Sequence, residues 1–149
     1  MRVRSPEFRD QGSIPIELTC DGKDVSPRLE WDAVPGAKGY ALIMEDPDAP
    51  NGTFTHWVIY AIHNTFLPKG VPGSDKSEYG FQGINDFGKI GYGGPCPPKP
   101  HPAHRYYFYV YAISEDIEFT PKTTAVLLRS RIRGKTIDSG VIMAKYKRI

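Results

Sequence analysis

The chain has 149 residues, of which 40% are hydrophobic and 24% charged, with a formal net charge of +2. That length suits one domain, residues 1–149, able to remove roughly two-thirds of its unfolded surface from water, and the apolar content excludes wholesale disorder. Small, dispersed charge excludes a nucleic-acid binder, which carries a basic stripe. No run approaches the ~20 apolar residues needed for stable membrane insertion.

In chain order, "MRVRSPEFRD" is charged and has no apolar segment behind it, so no secretory leader is expected and the chain is expected in the cytoplasm. "IPIEL" at 14–18 reads as a short strand, and "CDGKDVSPRLEW" at 20–31 as turn chemistry followed by a brief strand. Cys20 and Cys96 are the only cysteines. Free thiols are the expectation in a cytoplasmic chain; a Cys20–Cys96 bridge, of the kind found in some hyperthermophiles, is the alternative.

"GYALIMEDP" at 39–47, "FTHWVIYAI" at 54–62 and "RYYFYVYAI" at 105–113 are nearly continuous apolar runs. None alternates cleanly, which predicts central strands covered on both faces. Residues 63–104 read mostly as loop, and so long a structureless stretch in a compact domain points to function. A helix is predicted with Thr120 as N-cap, Pro121 at its first position and Gly134 as its stop. Val126, Leu127, Leu128 and Ile132 are its candidate buried side. "DSGVIMAKYKR" reads as a last strand, and the basic "RSRIRGK" and "KYKR" clusters as a solvated helix face and a strand end. Short strands, turn signals and one helix predict a mostly β protein, a β-sandwich with a peripheral helix.

Three stretches can carry chemistry. In "EDPDAP" at 45–50, Asp46 and Asp48 stand two apart in an extended segment and point the same way. Two carboxylates this close require a cationic partner for at least one of them, and Arg105 is the candidate. His56 in "FTHW" begins the next strand, placed so that Asp46 could meet it, set its tautomer and hold its other nitrogen toward a ligand. In "GYGGPCPPKPHPAHRYY" at 91–107, glycines let backbone N–H groups approach an anion, prolines stiffen the path, and His104 stands at the mouth of an aromatic strand. His101 reads as exposed loop.

A catalytic thiol at Cys96, with His104 as base, lacks nearby amide donors, since Pro95, Pro97 and Pro98 remove them. A metal site from Asp46, His56 and His104 lacks helical ligand spacing. No catalytic residue, metal or cofactor is therefore expected.

"DPDAP" followed by "HWV", then "GYGGPCPP" followed by "HRYYFYVYAI", resembles the phosphatidylethanolamine-binding protein family. The bacterial and archaeal Raf kinase inhibitor-like branch is the closer likeness: "CDGKDVSPRLEW", "GINDFGKIGYGGPCPP" and "IRGKTIDSGVIMAKYKR" match it too, so the similarity covers nearly the whole chain. The resemblance implies a β-sandwich with one or two short peripheral helices and an anion pocket at one end. Asp46, His56, Gly94, Pro97, Pro98, His104 and Tyr106 are the implied ligand-binding residues. Asp48, Pro50, Phe54 and Arg105 are the supporting ones, with Asp48 and Arg105 paired, and a cis proline is implied in or near "DPDAP".

A small phosphorylated or other anionic ligand and a non-enzymatic binding role follow. Asp46 is expected to orient a histidine or to meet a headgroup ammonium. Some relatives act as protease or kinase inhibitors, so a protein partner engaging the exposed "PCPPKPHPA" loop is the alternative. Animal members carry a further C-terminal helix over the pocket. Its absence here implies a more open pocket or cover by a second subunit in a homodimer, and the inserted "KPHPA" bears on the depth of His104.

Overall fold

The computed structural model describes residues 1–149. Its strands in chain order are β1 (Val3–Arg4), β2 (Gly12–Ser13), β3 (Leu29–Trp31), β4 (Gly39–Asp46), β5 (Phe54–Ile62), β6 (Phe66–Leu67), β7 (Lys76–Ser77), β8 (Gly80–Gln82) and β9 (His104–Ile113); helix α1 (Ala125–Ile132) and β10 (Thr136–Tyr146) complete it. Seven strands form one sheet in the order β2-β10-β9-β4-β5-β8-β7, and β1-β3-β6 form a smaller one. No helix is long and apolar enough to cross a membrane.

The period-2 geometry of a strand sends alternate side chains to opposite faces. On one face Leu42, Met44, Trp57, Ile59, Phe108 and Val110 pack with Leu29, Trp31 and Leu67 from the small sheet. On the other, Ala41, Ile43, Val58 and Tyr60 meet Ala125, Leu128 and Ile132 of α1. Both faces of β4 and β5 are thus covered, and their apolar runs are the sequence record of it.

β9 departs from that expectation. Tyr106, Phe108, Val110 and Ala112 are buried, whereas Tyr107, Tyr109 and Tyr111 are half-buried and Arg105 is exposed. The alternation was hidden because tyrosine has an apolar body and a polar tip. Its outer tyrosines stack, with Tyr107 and Tyr109 ring centroids 5.7 Å apart, and the Arg129 guanidinium lies 5.9 Å above Tyr109.

Four further expectations are corrected. The helix starts later: Thr124, not Thr120, is the N-cap, its hydroxyl accepting the Leu127 N–H at 3.2 Å. Thr120 instead exchanges hydrogen bonds with the Tyr60 hydroxyl. So short a helix buries only a narrow stripe, Ala125, Leu128 and Ile132, and leaves Val126 77% and Leu127 50% exposed. Residues 16–18 of "IPIEL" form a 3-10 turn, because Pro15 presents its carbonyl to the Leu18 N–H. The cis peptide precedes Pro100, not a proline of "DPDAP".

The fourth correction concerns the cysteines. They form a disulfide, with Cα atoms 5.4 Å apart and no free thiol in the chain. The reason is tertiary. The Cys20 N–H donates to the Pro95 carbonyl at 3.1 Å, Tyr92 Oη–H donates to the Leu18 carbonyl at 2.6 Å, and the Gly94 N–H donates to Asp24 Oδ1 at 2.7 Å. These bonds lay the 18–24 segment alongside 92–96 and bring the two sulfurs together.

The long 63–104 stretch is held by side-chain bonding more than by its short strands. Gln82 is fully buried: its Oε1 accepts the Trp57 Nε1–H at 2.8 Å, and its Nε2 donates to the Pro72 and Ser74 carbonyls at 2.6 and 2.8 Å. Gln82→Leu keeps the volume and strands all three partners, so it should cost about 2 kcal/mol in chemical denaturation. A loss below about 0.5 kcal/mol would show that water or rearrangement replaces the glutamine.

Candidate functional site

At one end of the large sheet, a cavity of about 170 Å³ is lined by residues from both ends of the sequence pattern, among them Asp46, Phe54, His56, Pro97, His104 and Tyr106. Pro50 and Pro98 also line it. Strand pairing explains the convergence. β4 runs antiparallel to both β5 and β9, so the end of β4 meets the starts of its two neighbours. Tyr106, Phe108 and Val110 place the even-numbered side chains of β9 on the core face, and His104, two residues before Tyr106, continues that row into the pocket.

Asp46 bonds to a different histidine from the expected one. Its Oδ2 accepts from His104 Nδ1 at 2.6 Å, and both side chains are only 4% exposed. The partner comes from the sheet, since β9 lies beside β4, whereas β5 shifts register between Met44 and Glu45 as it approaches the pocket. The other Asp46 oxygen accepts the Asp48 N–H at 2.7 Å. His104 Nε2 lies 3.2 Å from His101 Nδ1, so His101 belongs to the same chain of contacts and is half-buried rather than free loop.

His56 is bound to the glycine loop instead. Its Nδ1 lies 2.7 Å from the Gly93 carbonyl, and the Gly93 N–H donates to the His56 carbonyl at 2.9 Å. A carbonyl can only accept, so the proton sits on Nδ1 and the neutral ring carries a bare lone pair on Nε2. Burial pushes the His56 pKa down; the Gly93 carbonyl and the Asp46 charge oppose this and do not reverse it.

Tyr106 is fully buried, and its hydroxyl has no hydrogen-bond partner. Burial, with the Asp46 and Asp48 charges adding to it, pushes its pKa well up, so the phenol keeps its proton and acts as a donor.

The glycines serve a different purpose from the expected one. The N–H groups of Gly91, Gly93 and Gly94 are all bonded within the protein, to the Gly83 carbonyl, the His56 carbonyl and Asp24 Oδ1. They form no anion cradle, and Gly94 does not line the cavity. A Cβ at Gly93 would collide with the Phe87 ring, and one at Gly94 with the Leu18 carbonyl and Asp24. These positions are glycine because aromatic and loop neighbours lie against the backbone.

Asp48 and Arg105 brace the rim. The guanidinium donates to Oδ1 at 2.8 Å and to Oδ2 at 2.9 Å, and the Arg105 N–H also reaches Oδ2 at 2.9 Å. The bidentate guanidinium holds the Asp48 carboxyl below its usual pKa. Arg105 is thereby committed outside the cavity, and no lysine or arginine lines it.

Phe87 was not anticipated. Its ring centroid is 4.7 Å from Phe54 and 5.5 Å from His56, which completes an aromatic rim. Asn85 holds it there by accepting the Phe87 and Lys89 N–H groups and donating to the Gly91 carbonyl. The only sequence signal was an aromatic following Asn-Asp in a glycine-rich loop. Cys96 also lines the cavity, as half of the disulfide, which leaves no thiolate there.

Fold and site together define a class: a two-sheet β protein with one small pocket where β4, β5 and β9 meet. The model of the phosphatidylethanolamine-binding protein family matches residues 4–147, and the chain belongs to that family. It is 45% identical over 152 residues to a UPF0098 protein of Aquifex aeolicus, covering 99% of this chain and 89% of that relative. A UPF0098 protein of Methanothermobacter thermautotrophicus is 40% identical, with 99% of each chain covered. Among solved structures, a phosphatidylethanolamine-binding protein homologue from Chlamydia trachomatis superposes with a TM-score of 0.90 at 32% identity, over 99% of this chain and 97% of that one. Escherichia coli YbcL, described as a member of the mammalian family, gives 0.89 at 29% identity, over 99% and 98%.

Proposed function

We propose that this chain is a non-enzymatic binding protein whose pocket takes a small anion, a phosphate or phosphoryl headgroup. The observation that carries the reading is Tyr106, which lines the cavity with its ring beside those of His56 and His104 and whose buried hydroxyl has no partner. A polar group in that state costs about 1–3 kcal/mol unless something accepts its proton, and a ligand oxygen would. A cavity of about 170 Å³ falls below the roughly 300 Å³ at which drug-sized sites begin, so it suits a headgroup rather than a whole metabolite.

A binder fits better than a catalyst because neither imidazole faces a nucleophile: His104 is engaged by Asp46 and His101, His56 by Gly93, and Cys96 is bridged. Cytoplasmic placement belongs to the same reading, and the Cys20–Cys96 bridge weighs against it, because structural disulfides belong to oxidising compartments except in hyperthermophiles.

Tyr106→Phe tests the reading. Inorganic phosphate should bind about tenfold more weakly by calorimetry, the loss of one hydrogen bond to a charged group, while the fold keeps its stability or gains up to about 1 kcal/mol. Unchanged affinity, or histidine ring signals that phosphate leaves in place in wild-type NMR spectra, would sink the pocket reading.

A second reading has one observation in its favour. Lys99, Pro100, Pro102 and Ala103 beside the pocket are exposed, a stiff rim that a protease or kinase could engage at low ordering cost. Replacing 99–103 by Gly–Ser and assaying a serine protease panel separates the two, since inhibition should vanish while phosphate still binds.

A further inference from the structure

The cavity has an unusual charge balance for a phosphate site. Its lining carries one carboxylate, Asp46, and no lysine or arginine. Arg105 is spent on Asp48 at the rim. Asp24, behind the glycine loop, adds a second negative charge that acts on His56. Of the donors, the Tyr106 hydroxyl offers one proton, and His104 Nδ1 is held by Asp46. His104 Nε2 faces His101.

His56 is the decisive group. With Nδ1 committed to the Gly93 carbonyl, its Nε2 presents a lone pair. A phosphate dianion has acceptors only. Placed in this cavity it would set lone pair against lone pair at His56 and a double negative charge against Asp46, with no cation to offset either. One proton resolves both conflicts. It sits on Nε2, making an imidazolium, or on the phosphoryl oxygen, making a P–OH that donates to Nε2. Both arrangements contain the same number of protons.

We propose that the pocket takes a phosphate monoester only as its monoanion equivalent, with one proton shared between a phosphoryl oxygen and His56 Nε2. This inference rests on the anion-pocket reading above. It narrows the ligand class: the group must have a titratable oxygen near neutral pH, and affinity must fall as the solution turns alkaline. The groups that face His56 and set the linkage are Asp46 on β4, His104 and Tyr106 on β9, Asp24 on the 20–31 segment and the Gly93 and Gly94 backbone. Burial, which keeps free His56 neutral, is why the proton must arrive with the ligand.

Calorimetric titration of the intact, oxidised protein with methyl phosphate at pH 6, 7, 8 and 9, in buffers of different ionisation enthalpy, tests it. The second pKa of such an ester is about 6. Above pH 7 the apparent affinity should fall about tenfold per pH unit, with uptake of about one proton per ligand at pH 8. The His56 Nε2 resonance should move on binding. In His56→Gln the side-chain amide donates without titrating, so the slope should flatten.

Binding at pH 6 with no proton uptake at pH 8 and no slope overturns the inference and leaves the pocket reading standing. A full slope retained in His56→Gln shows that the proton is held without the His56 ring and overturns the assignment to His56. If the variant fails to fold, the wild-type proton count and the Nε2 resonance decide alone. No binding at any pH removes the pocket reading and this inference together.

Discussion

Replacing both cysteines, Cys20→Ser with Cys96→Ser, should lower stability by about 4 kcal/mol. The bridge joins residues 76 apart, and a closed loop of that length restricts the unfolded chain by about this much in the chain-entropy description. The native state loses little in return, because hydrogen bonds from Cys20, Tyr92 and Gly94 already hold the two segments together. Denaturant unfolding of the double variant against the oxidised wild type measures the difference. A change below about 1 kcal/mol would mean that those contacts persist in the unfolded ensemble and the bridge constrains nothing further.

Asp46→Ala should cost about 3 kcal/mol, because it removes one member of a buried pair and leaves the other without an acceptor. His104 Nδ1 loses its carboxylate and the Asp48 N–H loses its turn bond, so the 46–50 loop loosens at the same time. His104→Ala is expected to destabilise as well, since it leaves Asp46 buried and unpaired. The discriminating measurement is a double-mutant cycle between the two positions. A coupling energy of about 1–3 kcal/mol supports a direct interaction, and strict additivity would refute it. The Arg105–Asp48 pair lies at the exposed rim, and its removal should stay within about 1 kcal/mol despite the bidentate geometry.

The pattern of what was readable follows from the range of the forces involved. β4 and β5 were legible because coverage on both faces demands continuous apolar runs, and a run is a local property. The partner of Asp46 was not. Sequence proximity favoured His56, ten positions away, whereas strand order brought His104, fifty-eight away, to the carboxylate. The start of α1 was misplaced because Thr120-Pro121 has the chemistry of a helix entry, yet Tyr60 on β5 takes Thr120 for its own hydrogen bonds. Gly93 and Gly94 suggested a backbone open to ligand, because a glycine needed for ligand approach and one needed for packing look identical in sequence.

By itself the sequence determined the fold class and the positions of β4, β5 and β9, because hydrophobic period and turn chemistry are written residue by residue, while the family and most of the pocket's lining were legible only through the likeness of its motifs to that family. Only the tertiary structure decided which histidine Asp46 holds, that the two cysteines are joined, that Arg105 faces away from the cavity and that the Tyr106 hydroxyl has no partner. Each of these depends on strands and loops far apart in the chain meeting at one sheet end. Bond geometry and burial exist only once they have met.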